Sequence, residues 1–417
     1  MRDKIIISLG KKSGEKHSII RFVVAVLFVF TLLYQPPMPV SVIYVLTFIS
    51  IGYLVLSIHL NYAEYIKILL AFLGMFAILL LIILLNGNQL ANISHYFWLL
   101  ACIIPAAIAF SQYVNKTEKS FAYLFHVLLC AAVLQAILAY MCLFSEEIHE
   151  TFFEYMLRTG LYTESHLEKW GYRIYGYGNS LMYAIPVIQG LIAAWAFLYG
   201  VDKSKLIYSI LGVLVLVSAI ISAKIAFVVF VTTVLLGLII GFKHYSKKLL
   251  RIAVVVLIAT GILLYAYSYA QNNHGKLAEW VSLLFQEDGI TGYTDYYTNA
   301  NKWELPDGLA FFFGTGENRP NYDVDMGIVN DVWLGGILYL GFTVGVVLTL
   351  AYRIRKNPLF PALWQKIMAS SLVIAFFIAD IKGTAFHYSA FMAFFILIAL
   401  FSGNNGHVTK NTGLAAK

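Results

Sequence analysis

Charged residues are scarce in this chain of 417 residues. Only 12% are Asp, Glu, Lys or Arg, whereas 60% are hydrophobic, and the mean hydropathy is +0.77. A soluble globule cannot bury that much apolar surface, so the low charge excludes one. The alternation of apolar and polar residues that marks membrane β-strands is also lacking. The apolar runs are uniform and about 17 to 22 residues long, which predicts membrane-spanning helices.

Cysteine, cleavage signals and repeats are scarce or absent as well. Cys102, Cys130 and Cys142 lie in or beside apolar segments without C-x-x-C spacing, which predicts neither a disulfide framework nor a zinc site. The first apolar run follows a basic N-terminus but has no small-x-small cleavage site, so we expect a retained helix. No internal repeat is visible, which weakens an inverted-repeat transporter interpretation.

Hydropathy predicts an all-α polytopic bundle of about twelve transmembrane helices, forming one integral membrane domain over residues 1–417. The predicted spans are 19–35, 39–58, 68–86, 95–112, 120–143, 180–200, 206–222, 225–242, 252–270, 331–351, 363–379 and 384–402.

Lysine and arginine alternate between successive loops in a way that supports this count. With both termini cytoplasmic, most of the 29 basic residues lie inside and most of the 22 acids lie outside. The net charge of +7 is therefore a topology signal, and we expect no nucleic-acid partner.

Two outside loops are long, and the first covers residues 144–179. Its beginning places Ile148, Phe152 and Met156 on one helical face, behind a Ser cap and several glutamates. This pattern predicts an amphipathic helix that either lies flat in the outer headgroup layer or packs on the bundle.

The same loop offers two arginines, and the turn between the seventh and eighth spans offers a lysine. Arg173 lies among glycines and aromatic residues, whereas Arg158 follows the amphipathic stretch. Either arginine is structural and ion-paired or binds a phosphate in bidentate fashion. Lys224 occupies a very tight turn, where it either snorkels to the interface or holds a lipid phosphate.

The second long loop, residues 271–330, ends in a polar stretch rich in glycine and acids. Asp323 and Asp325 form a D-x-D pair that either holds a divalent cation on a diphosphate or supplies a general base for an attacking hydroxyl. Asp331 begins the next predicted span, which places the acids at the membrane surface on the outside face. In the last outside turn, Asp380 and Lys382 are expected to pair.

Four features together resemble a known family. They are a cation in a tight mid-chain turn, a Gly-x-Gly element that ends a large outside loop, an acid-Met-Gly-Ile-Val-Asn run and a Gly-Gly pair in the following helix. Here they are Lys224, Gly314-Thr-Gly316, Asp325-Met-Gly-Ile-Val-Asn330 and Gly335-Gly336. The chain resembles the Wzy-type O-antigen polymerases, which form a superfamily of membrane glycosyltransferases with the O-antigen ligases.

The resemblance implies a GT-C-like fold and an inverting transfer at the periplasmic face of the bacterial inner membrane, with no metal and no cofactor. A growing glycan on undecaprenyl diphosphate would be the donor, and a lipid-linked repeat unit the acceptor. The implied partners are the lipid-linked oligosaccharide, membrane lipid and a chain-length regulator protein.

The resemblance also implies roles for individual residues. Asp325 would be the general base, and Lys224 and Arg173 would bind the diphosphate. The wider substrate-binding set is Arg319, Asp323, Arg158, Glu317 and Tyr322.

Two alternatives remain open: a ligase that transfers glycan to lipid A-core, and a flippase of the lipid-linked oligosaccharide. The ligases carry histidine where this chain has Asp325, which favours the polymerase. They usually carry arginine where it has Lys224, a departure that argues against bidentate phosphate binding at that position. A flippase should carry charges deep within its spans, whereas the charges here collect at the outer face.

Overall fold

The computed structural model describes residues 2–38, 41–57, 63–88, 93–115, 120–158, 174, 176–178, 184–273, 303–317, 319, 326–383 and 389–401, and every regular element within these ranges is helical. The α-helices are α1 Arg2–Tyr34, α2 Val42–Leu56, α3 Ala63–Leu85, α4 Ser94–Trp98, α5 Ile104–Asn115, α6 Phe121–Phe144, α7 Glu146–Arg158, α8 Ala184–Lys203, α9 Leu206–Ser222, α10 Ile225–Ile240, α11 Phe242–Tyr245, α12 Leu249–Asn273, α13 Leu309–Phe313, α14 Gly327–Arg355, α15 Ala362–Lys382 and α16 Ser389–Leu400. A π-helical turn, Leu99–Ile103, joins α4 to α5, and a 3₁₀ turn, Ser246–Lys248, joins α11 to α12.

Each predicted span falls on one of these helices, and the all-helical class is confirmed. Six helical segments of the described chain are long and apolar enough to cross a membrane: Tyr65–Leu85, Tyr96–Val114, Phe121–Phe144, Ala184–Lys203, Gly327–Arg355 and Ala362–Lys382. A seventh candidate consists of α10 and the segment Phe242–Lys248, which meet at an angle of 90°. The protein is therefore a helical membrane protein, and the count of twelve crossings stays a prediction.

Helix α8 forms the centre of the bundle. Every side chain from Ala184 to Val201 is buried, which is the pattern of a helix surrounded by other helices on all sides. Outer helices show the opposite pattern, since Phe48 on α2 is 82% exposed and Leu257 on α12 is 72% exposed. Large apolar side chains that point outward from a helical bundle indicate a surface that faces lipid.

Small residues let the neighbours of α8 approach closely. A Cβ atom added to Gly212 of α9 would lie 2.7 Å from the carbonyl oxygen of Ala193, and one added to Gly190 would lie 2.6 Å from the carbonyl oxygen of Ala226 in α10. Between α8 and α15, the indole Nε1 of Trp195 donates a hydrogen bond of 3.0 Å to the hydroxyl of Ser371. Close backbone approach and buried hydrogen bonds are how helices associate where water is absent.

The helices run alternately up and down, so the bundle has two ends. We name the first the Lys224 end. The helices that end here are α1, α3, α6, α9, α12 and α15. The helices that begin here are α2, α4, α8, α10, α14 and α16. We name the second, where the directions are reversed, the Lys356 end. Contacts at each end agree with this order, since Tyr177 donates to the carbonyl of Pro37 at the first and Gln112 donates to Tyr65 at the second.

Helix α7 matches the predicted amphipathic helix in position and packs on the bundle. Phe153 and Met156 are buried, Ile148 and Phe152 contact the core, and the Ser145 hydroxyl accepts the Ile148 N–H at 3.3 Å as a cap. Of the two interpretations left open by the sequence, the contacts of α7 favour packing against other helices.

The approach of α9 to α8 leads to a prediction about stability. We expect Gly212→Val to lower the free energy of unfolding by about 1–3 kcal/mol, because the added carbons overlap Ala193 and Ala196. Gly74→Val is the matched control, since a Cβ there meets nothing within 4 Å. Thermal unfolding in detergent measures both, and equal midpoints for the two variants would contradict the packing argument.

Candidate functional site

Helix α14 is broken at Gly336, where φ is 73° and ψ is −179°. A continuous helix would direct the carbonyls of Trp333 and Leu334 to the N–H groups four residues later. Instead the N–H of Thr315 donates to the Trp333 carbonyl at 2.7 Å, and the N–H of Gly316 donates to the Leu334 carbonyl at 3.0 Å. The loop before α14 therefore completes the hydrogen bonding of the broken helix.

Glycines make this contact between the loop and α14 possible. Gly314, Gly316 and Gly336 all have positive φ, a conformation that other residues adopt only with strain. A Cβ on Gly336 would overlap the carbonyl of Phe312, and one on Gly314 would lie 2.5 Å from the Gly335 nitrogen. The Gly-x-Gly and Gly-Gly elements of the sequence are thus two halves of one interface.

Side chains fix the loop to two helices. The Thr315 hydroxyl also donates to the Trp333 carbonyl at 2.9 Å, and the indole N–H of Trp333 donates to the Glu304 carbonyl at 3.0 Å. From the end of α3, the amide of Asn88 donates to the Thr315 carbonyl at 2.6 Å. Residues 303–317, which we name the cover loop, are therefore fixed at the Lys224 end.

Two carboxylates are buried beneath this end of the bundle. Asp331 of α14 and Asp380 of α15 are both 0% exposed, and the two groups interact electrostatically. They meet because α14 and α15 touch through backbone at Gly327, where a Cβ would lie 2.6 Å from the Asp380 carbonyl. Asp331 follows one turn later on the same face. Tyr339, two turns further along α14, is also buried and interacts with Asp380.

Cationic side chains lie at the same end. Lys224 precedes α10 and Lys382 completes α15, and both are half-buried. Helix α15 packs against both α10 and α14, so Asp380 lies on the helix between Lys224 and Asp331. Burial of an ionised carboxylate costs several kcal/mol unless a cation or hydrogen bonds compensate. The buried acids and the two lysines thus lie at the same end of adjacent helices, where a cation that approached the acids would be stabilised.

Arg319 is held by a partner that the sequence analysis did not assign. Its Nη2 lies 2.9 Å from Glu304 Oε2, and its side chain is 10% exposed, whereas that of Glu304 is 70% exposed. Glu317 lies nearby on the same loop and is exposed. The structure therefore places Arg319 beside the cover loop, with its guanidinium turned inward.

Arg158 lies on α7, outside this group of residues. Its Nη2 pairs with Glu154 Oε2 at 3.0 Å, one helical turn away, and both side chains are mostly exposed. Exposed ion pairs one helical turn apart contribute only about 0.3–0.5 kcal/mol to the free energy of unfolding. The geometry matches the structural role that the sequence left open for Arg158.

The remaining predicted site residues, Arg173, Tyr322, Asp323 and Asp325, lie outside the described residues. Their neighbours in the chain are described, however. Ile174 is buried and its carbonyl accepts a hydrogen bond from Ser222, and Met326 is buried directly before α14. Arg173 and Asp325 are therefore adjacent in the chain to residues at the Lys224 end.

No protein-family model matches the sequence, and a search of curated proteins finds no significant relative. In the described part of the chain, no group of three or more His, Cys, Asp or Glu side chains is placed to hold a metal ion.

Sequence reasoning missed the burial of Asp331 and Asp380. The predicted spans 331–351 and 363–379 placed the first acid at a membrane boundary and the second outside it. In the structure α14 begins at Gly327 and α15 continues to Lys382, so both acids lie within helices. An ionisable residue inside a membrane helix is itself a signal of function, and correct boundaries would have given that signal.

The cover loop leads to a second prediction. We expect Gly336→Ala to strain the break by about 1–3 kcal/mol, in addition to the overlap with Phe312, and to displace the loop from α14. Gly341→Ala, in the same helix with nothing within 4 Å of its Cβ, is expected to behave as wild type. Limited proteolysis between residues 303 and 317 reports the displacement directly, and equal protection in both variants would contradict the account.

Proposed function

We propose that this protein is a glycan polymerase of the O-antigen polymerase type. It would act at the outer face of a bacterial inner membrane, on a growing glycan carried by undecaprenyl diphosphate. The observation that supports the proposal is the Lys224 end itself: the broken helix α14, its cover loop and the buried pair Asp331–Asp380 lie at this end, and Lys224 begins the helix that packs against α15.

The depth of the acids supports chemistry at one surface. At 1.5 Å per residue, Asp331 lies about 6 Å from the start of α14, a helix about 44 Å long, and Asp380 lies about 3 Å from the end of α15. A lipid diphosphate is found at that depth, between the headgroups and the hydrocarbon. A cation site there can hold the diphosphate while its lipid tail stays in the bilayer.

In the proposed reaction Asp325 acts as the general base. The oxygen of an acceptor sugar hydroxyl attacks the anomeric carbon of the donor, and its proton passes to the Asp325 carboxylate. The bond between the anomeric carbon and the diphosphate oxygen breaks, and undecaprenyl diphosphate leaves with the electron pair. Attack opposite to the leaving group inverts the anomeric carbon.

Basic side chains would stabilise the negative charge that develops on the leaving diphosphate. Lys224 and Arg173 are the proposed contacts, and Arg319 would support them from its position beside the cover loop, where it pairs with Glu304. We infer that Asp331 and Asp380 are positioning residues: the buried pair would fix α14 against α15 and so hold the cationic side chains at this end in place before the substrate arrives. The cationic side chains would then already have the geometry that the diphosphate requires, and no rearrangement of water around them would be needed when it binds.

The proposed base leads to a third prediction. We expect Asp325→Ala to reduce polymerisation at least 100-fold, the lower range for loss of general base catalysis. Cells should then carry single repeat units in place of long glycans. Asp307→Ala removes an exposed acid from the same loop and should leave the chain-length ladder normal. Equal insertion of both variants in the membrane is the control, and a normal ladder from Asp325→Ala would contradict the role.

A flippase is the second candidate, because acids buried within candidate spans are typical of ion-coupled transport. A transporter site usually lies near the bilayer midplane, however, whereas these acids lie near the helix ends. Reconstitution in liposomes separates the two functions. The polymerase lengthens the glycan of a lipid-linked substrate, whereas a flippase moves that substrate to the other leaflet unchanged.

A further inference from the structure

A cavity of 420 Å³ lies at the Lys356 end, between α3 and α14. It is far along α14 from the acids, since Arg353 and Lys356 lie at the end of that helix and Asp331 lies near its start. The proposed glycan chemistry does not use it. Its volume is within the range of about 300–1,000 Å³ that is typical of ligand sites.

The outer part of the cavity is cationic. It is lined by Lys67 of α3, Arg353 of α14 and Lys356, which directly follows α14, and no Asp or Glu is among its described lining residues. The Lys356 ammonium lies 5.8 Å from the centre of the Tyr352 ring, which also lines the cavity. Cations at the end of α14 complement its helix dipole, but Lys67 lies near the beginning of α3, where the dipole gives a cation no advantage.

A buried hydrogen-bond donor lines the same cavity. Asn357 is 1% exposed, and its Oδ1 accepts the N–H of Leu359 at 2.9 Å, which fixes the orientation of the amide. The Nδ2 group, with its two N–H donors, has no hydrogen-bond acceptor among the described residues. A buried N–H group without an acceptor costs free energy. A ligand that offers an acceptor oxygen to Asn357 Nδ2 would remove this cost.

The inner part of the cavity is apolar. Phe72 and Leu350 are buried in its wall, and Ala71 and Val346 continue the wall from the cations toward the middle of the two helices. Next to the cavity, Leu70 is 60% exposed on the surface that faces lipid. The ligand must therefore combine an anionic head with an apolar tail.

We propose that this cavity binds the phosphate headgroup of an anionic phospholipid. The phosphate oxygens would accept hydrogen bonds from Lys67, Arg353, Lys356 and Asn357 Nδ2, and the acyl chains would run along Ala71 and Val346. The predicted orientation agrees with this occupant, because it places the Lys356 end at the cytoplasmic leaflet, whose surface is negative. Basic pockets between membrane helices on that side are suited to such headgroups.

Native mass spectrometry of the purified full chain tests the proposal, with phosphatidylglycerol and phosphatidylcholine as probes. We expect wild type to bind at least one phosphatidylglycerol at least tenfold more tightly than phosphatidylcholine. The triple variant Lys67→Gln, Arg353→Gln, Lys356→Gln should lose that preference. The matched control Lys243→Gln, Arg355→Gln, Lys366→Gln removes the same charges from exposed positions of the same end and should keep it.

Three results would overturn the proposal: equal affinity of wild type for the two lipids, equal losses in both triple variants, or displacement of the lipid by millimolar inorganic phosphate, which would make a soluble phosphate the ligand. Asn357→Asp is a second variant if the triple variant does not fold. It keeps the shape and the acceptor for Leu359, and it should weaken phosphatidylglycerol binding because a negative charge replaces the donor. Unchanged binding by that variant also counts against the site.

Discussion

The burial of two carboxylates where α14 meets α15 is the constraint on which the Lys224 end depends. Asp331 and Asp380 are both fully buried and repel each other when ionised, so their burial requires either that one acid is protonated or that surrounding groups compensate its charge. The backbone contact at Gly327 enforces their approach, and α15 connects them to the helix that follows Lys224. Folding therefore brings two acids together at the end of the bundle where Lys224 and Lys382 also lie.

The two ends of the bundle differ in backbone structure and in charge. At the Lys224 end, a loop supplies the hydrogen bonds that the broken helix α14 lacks, so irregular backbone is tolerated within a membrane protein. At the Lys356 end, basic residues predominate, and the carboxylate of Asp202 is surrounded by His244, Lys203 and Lys248. One long helix, α14, thus extends from the proposed reaction site to the cavity proposed to bind a phospholipid headgroup.

Much of the fold was predictable because apolar length is a strong signal in a chain with so few charges. The tight turn at Lys224, between α9 and α10, and the amphipathic helix α7 both lie where the pattern places them. The acid pair was not predictable, because no local pattern says that Gly327 brings residues 49 positions apart together. The break at Gly336 was not predictable either, because hydropathy depends on residue composition and carries no information on the backbone angle φ. What the sequence could not supply was in each case a contact between distant segments.

The central claim is that Asp331 and Asp380 act as one unit that orders the cations of a diphosphate site. Donor kinetics of the Asp331→Asn and Asp380→Asn variants and of the double variant test it most directly. The account predicts that each single change raises the KM for the lipid-linked donor at least tenfold with a smaller effect on kcat, and that the double variant is no worse than either, because residues of one unit are not additive. An unchanged KM, or effects of the two changes that simply multiply, would contradict it.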